Sequence, residues 1–96
     1  MGFYAQRGAN QIVNPAAGSA SITIDKTSTA VRLHNTGANI CYVRIGSSVS
    51  GTPATTADTP VPAGTVLILN KSTEEDTLSH ISAAGTTLNV QTGEEY

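Results

Sequence analysis

The candidates for catalysis or for holding a metal are His34, His80, Cys41, Asp58, Glu74, Glu75 and Asp76. Two histidines with nearby carboxylates would suit a divalent cation, but no ligands recur at the close spacing of zinc sites. Glu74, Glu75 and Asp76 are contiguous. They lack the alternating oxygen-ligand loop, turn glycine and distal glutamate of a calcium site, so they read as a solvated turn. Cys41 alternates with Tyr42 in an apolar run, where a thiol acts as a small hydrophobe; no charged neighbour is placed to lower its pKa. Asn70-Lys71-Ser72 fits the N-glycosylation pattern, without a secretory signal to give it use. The glycines at 46, 51 and 64 fall between strands, with no helix behind them to receive a phosphate. No serine–histidine–aspartate constellation is present. The reading is of a chain that is not an enzyme and holds no metal or cofactor.

The elements that must position these residues are short strands. Residues 30–45, AVRLHNTGANICYVRI, contain two period-2 runs: Val31 and Leu33 alternate with Arg32 and His34, and Cys41, Val43 and Ile45 with Tyr42 and Arg44. The polar stretch Asn35 to Asn39, with Gly37 free to take the left-handed conformation, predicts a β-hairpin with one apolar and one polar face. Ile22 and Ile24 mark an earlier strand. TVLIL, residues 65–69, reads as a strand buried on both faces. A strand around Leu78 and Ile81 needs a bulge near His80 to bring both to one side, and Leu88 and Val90 mark a last one. Between 46 and 64 runs a long Gly-, Pro- and Thr-rich connection from which Val49 and Val61 dip into the core. Pro53, Pro60 and Pro62 confine any pairing there to an edge.

With turn residues between short strands and no helical period, the pattern predicts an all-β fold, a small antiparallel β-sandwich or jelly roll, over residues 19–96. Residues 1–18 have no sustained period. Gly and Pro punctuate them, yet they carry Phe3, Tyr4, Ile12 and Val13, which a free tail would not. They read as an extended N-terminal arm, roughly 60 Å long if fully drawn out, that docks on a partner.

Composition narrows the partners. Charged residues are 12% of the 96 and the net charge is -2, so there is no basic field for nucleic acid and no polybasic or amphipathic stretch for a membrane. A soluble monomer displays about a quarter charged residues; half that suggests surface hidden in an assembly. The core is thin: one Phe, no Trp and three Tyr leave few large anchors, and a homo-oligomer, expected as a trimer, would supply the missing burial. A single cysteine and no signal-like start predict synthesis in a cytosol-like compartment.

The stretch from Val31 to Glu94, reading VRLHNTGANICYVRIG, then ATTADTPVPAG, then ISAAGTTLNVQTGE, resembles small β-sandwich virion proteins of tailed bacteriophages. There a strand runs into an N-x-G turn, another ends in V-R-x-G, a Thr-rich loop leads to P-x-P-A-G, and a last hairpin ends near G-E. The resemblance covers about two-thirds of the chain and rests on turns and strand ends. The NKSTEED turn and the first 18 residues have no counterpart in it. It implies a structural protein on the capsid surface, made in the host cytoplasm, that decorates or cements the shell by binding the major capsid protein or another virion protein. A tail, neck or head-fibre component is the alternative. A carbohydrate-binding module is a third, though Tyr4, Tyr42 and Tyr96 are too dispersed for a sugar platform. Candidate contact residues are Phe3, Tyr4, Ile12 and Val13 on the arm, and Arg32, His34, Tyr42 and Arg44 on the polar face of the hairpin, where Arg and Tyr suit an interface centre.

Overall fold

The computed structural model describes residues 4–6, 10–47 and 53–95, of which 4–6 and 95 are described by their backbone only. Nine strands follow in order: β1 (Tyr4–Gln6), β2 (Gln11–Val13), β3 (Ala20–Thr23), β4 (Ala30–Asn35), β5 (Cys41–Gly46), β6 (Thr59–Val61), β7 (Val66–Asn70), β8 (Thr77–Ile81) and β9 (Leu88–Glu95). All pairings are antiparallel. One sheet, sheet A, runs β2-β9-β4-β7, with β1 continuing along the same edge of β9 as β2; sheet B runs β3-β8-β5-β6. The pairs nest, β2 with β9, β3 with β8, β4 with β7 and β5 with β6. Nested pairs are a double-stranded ribbon wrapped into two sheets, a jelly-roll order. The all-β sandwich expected from the sequence is the fold of the protein.

The core lies between the sheets. Val31 and Leu33 of β4 and Leu88 and Val90 of β9 face Cys41 and Val43 of β5, Val61 of β6 and Leu78 of β8, all buried. Ile22, Ile45, Val13, Leu67 and Leu69 close the rim. Small β-branched and γ-branched side chains fill this slot because a sheet face presents every second residue to it.

The central hairpin does not form. β4 pairs with β7 and β9, β5 with β6 and β8, so the two strands lie in opposite sheets. In a hairpin both apolar rows would share one side of one sheet. Set in opposite sheets, they cover each other. The connection 36–40 therefore arches across the end of the sandwich. Gly37 is required there for lack of a side chain: a Cβ would stand 2.6 Å from the Thr87 nitrogen. Among the described residues positive φ belongs to Gly64 (75°) and Gly85 (83°).

Three further expectations change. β7 is not a strand buried on both faces but the last strand of sheet A, with Val66 and Ile68 46% and 39% exposed. Strand β8 has continuous register on both sides and needs no bulge, because Leu78 points in and the half-buried Ile81 points out. The described residues of the expected arm, 4–6 and 10–18, lie on the sandwich: β1 and β2 run along β9, Val13 packs against the core and Pro15 is fully buried. Val61 enters the core as expected, and Val49 lies outside the described residues.

Candidate functional site

Alternation along β4 and β9 turns Arg32, His34, Asn89 and Gln91 to the outer side of sheet A. Register then sets them in rows. Ile12 pairs with Asn89, Asn89 with His34, and His34 with Val66; in the next row Gln91 pairs with Arg32 and Arg32 with Ile68. Four strands at the usual spacing put Ile12 and Val66 about 14 Å apart. The result is a face with a polar centre carrying one formal positive charge, Arg32, between an apolar edge at Ile12, 67% exposed, and another at Val66 and Ile68. Asn10 reaches this centre from the edge, its Nδ2 donating to Asn89 Oδ1 at 3.3 Å.

The sequence assigned Arg32, His34, Tyr42 and Arg44 to a single face. They divide instead between two opposite faces, because β4 and β5 belong to different sheets. Arg32 and His34 are joined by Ile12. Tyr42 lies on the outside of sheet B beside Pro60 and Ile81. Val13 turns inward, Tyr4 is paired through its backbone with Glu95, and Phe3 lies outside the described residues. The face as built also includes Val66, Ile68, Asn89 and Gln91, which the sequence did not single out; the signal was the alternation hidden in TVLILN, which becomes legible once β7 is known to be an edge.

Arg44 is occupied within the chain. Its Nε donates to Asp58 Oδ1 at 3.0 Å and its Nη2 lies 2.8 Å from the same oxygen. Asp58 Oδ2 accepts from the Thr55 N–H at 2.7 Å, and these donors, the Thr55 N–H first, hold the carboxyl below the usual carboxylate range. The turn so fixed places Ala54 over the outer side of sheet B, where its N–H donates to Ser79 Oγ at 2.8 Å. Arg44 and Asp58 thus act as a clasp on a loop.

The remaining candidates for chemistry are structural in this geometry. His80 points into the sandwich, 4% exposed, with Nδ1 unpartnered; burial lowers its pKa. Burial pushes the Cys41 thiol up to about 11, which removes the thiolate a nucleophile would need. Lys71, within the acidic NKSTEED turn, is 7% exposed, and its Nζ donates to the carbonyls of Lys26 at 3.1 Å and Ser72 at 3.0 Å. It ties that turn to the one headed by Asp25, whose carboxyl is lowered by the Thr27 N–H and by the hydroxyls of Thr27 and Ser28. Glu75 accepts from the Ser72 N–H at 2.8 Å. Among the described residues no three His, Cys, Asp or Glu side chains stand together as metal ligands, and no helix is long and apolar enough to cross a membrane. No family model, curated protein or solved structure matches the chain.

Proposed function

We propose that the protein is a structural part of a tailed-bacteriophage virion, a decoration or cement protein that binds the capsid surface as a homo-oligomer and catalyses nothing. The resemblance of residues 31–94 to small virion sandwiches supports this reading. So does the jelly-roll order, an arrangement shared with capsid and lectin domains, although a fold by itself selects no function. The observation that carries the proposal is the outer face of sheet A, where Ile12, Arg32 and His34, three of the expected contact residues, meet with Val66 and Ile68. Apolar edges around an arginine centre suit an interface, in which Arg supplies directed hydrogen bonds and the apolar rim excludes water. The major capsid protein is the partner this reading names.

Cosedimentation with particles assembled without the protein tests it. Wild type should saturate the particles. Ile12→Glu and Arg32→Glu should lower occupancy at least about tenfold while the far-ultraviolet dichroism stays unchanged. Wild-type protein that does not cosediment, or variants that bind as well as wild type, would overturn the assignment.

A further inference from the structure

Among the described residues no strand pairs with the outer edge of β7, and that edge is unlike the other sheet edges. β6 is three residues long with Pro60 inside it, and Pro62 follows. β3 is four residues long, and Gln11 Nε2 donates to its Thr23 carbonyl at 2.9 Å. Along β9, the described edge consists of two strands of three residues each, β1 and β2. Short strands, prolines and side-chain caps are the devices by which proteins blunt a sheet edge. β7 has none: residues 65–70, TVLILN, carry neither proline nor charge. The next residue, Lys71, would guard the edge, but its ammonium is turned inward onto the Lys26 and Ser72 carbonyls.

The open hydrogen-bonding groups follow from the ladder. Asn35 N–H donates to the Thr65 carbonyl at 3.0 Å and Lys71 N–H to the Thr29 carbonyl at 2.9 Å, so odd-numbered residues of β7 bond to β4. Antiparallel pairing alternates. The N–H and C=O of Val66, Ile68 and Asn70 therefore point out of the sheet edge, beneath the exposed Val66 and Ile68 side chains.

We propose that β7 is where two copies of this chain join, edge to edge and antiparallel, so that sheet A continues through both. With Ile68 on the two-fold axis, Ile68 meets Ile68 of the second copy, and Val66 meets Asn70 of the second copy. The three pairs make about six backbone hydrogen bonds. A second copy is the occupant because a strand is complementary to itself about a two-fold axis, and because an uncharged edge sets no like charges against each other and offers nothing to steer a charged peptide. The contact closes as a pair, so a threefold assembly would have to use a different surface. It needs no particle and stands independently of the virion role.

Sedimentation equilibrium of the purified full chain, from micromolar to millimolar, is the test. Wild type should follow a monomer–dimer equilibrium. Ile68→Lys and Val66→Lys should raise the dissociation constant at least about tenfold; Ile68→Pro should do the same, since the N–H it removes bonds to nothing in β4. Thr59→Lys, at the edge of sheet B, should leave the equilibrium unchanged. Amide exchange supplies a readout that needs no variant: the Val66, Ile68 and Asn70 amides of wild type should be protected at high concentration and lose protection on dilution. A wild-type monomer throughout, an oligomer indifferent to these substitutions, or those three amides exchanging fast at every concentration would overturn the proposal.

Discussion

Asn35 in sheet A donates through Nδ2 to the Val61 carbonyl in sheet B at 2.8 Å, a hydrogen bond that joins the two sheets where β4 leaves for β5. The same nitrogen donates to the Asn39 carbonyl at 2.8 Å, and Oδ1 accepts from the Gly37 N–H at 3.1 Å and the Thr86 hydroxyl at 2.8 Å. The side chain is fully buried, and its donors and acceptor are all used. One amide thus fixes the arch, the β6 edge and the turn before β9.

Asn35→Ala should therefore cost about 3 kcal/mol, because it leaves several buried groups without partners. Urea unfolding should show a lowered midpoint at unchanged slope. A loss below about 0.5 kcal/mol would mean that water replaces the amide at no cost.

Stability should fall with acid through His80. Its folded pKa lies below the ordinary value of 6.5 because burial disfavours the imidazolium. The neutral form's contribution is thus full above about pH 6.5 and is lost as pH falls through the folded value, where the unfolded chain binds a proton that the native chain refuses. The slope from this one group cannot exceed about 1.4 kcal/mol per pH unit. His80→Leu should flatten the decline that sets in below about pH 6.5. A parallel decline in the variant would place the acid sensitivity elsewhere. Asp25 and Asp58, with lowered carboxyl pKa values, act in a separate window, below about pH 4.

The clasp on sheet B should be local. Arg44→Ala and Asp58→Ala should each speed exchange of the Ala54 amide, which is hydrogen-bonded to Ser79 Oγ, while the amides of β4 and β9 stay protected. Added salt should narrow the difference between Arg44→Ala and wild type, since a partly exposed ion pair is screened.

Removing residues 2–13 should destabilise the sandwich by about 2 to 4 kcal/mol. It strips the Val13 contact and uncovers the edge of β9, a central partner of β4. A truncated chain with an unchanged urea midpoint would show that these strands contribute no net stability.

Cys41 should be inert in the native chain. Burial and a thiol pKa of about 11 predict no labelling by a thiol reagent at pH 8, and one equivalent labelled in urea. Native labelling at an ordinary thiol rate would require the end of the sandwich to open.

The sequence by itself determined the class and most of the core. Period-2 runs mark one face of each strand whatever its partner, so Val31, Leu33, Cys41, Val43, Leu88 and Val90 were legible as buried. Prolines and glycines marked several of the turns, since they act through local backbone geometry, although Pro60 lies inside β6 and Gly93 inside β9. Tertiary structure alone decided the pairing. Asn35 to Asn39 has the composition of a hairpin turn, and only the partners on both sides of β4 and β5 make it an arch; alternation states which residues share a side of one strand and is silent on which sheet holds it. That division carried Arg44 away from Arg32 and onto Asp58, and brought Ile12 in line with His34. It also placed TVLIL at an edge: a threonine and four apolar residues look the same in the middle of a sheet as at its margin, and the difference lies in whether another strand arrives to pair with them.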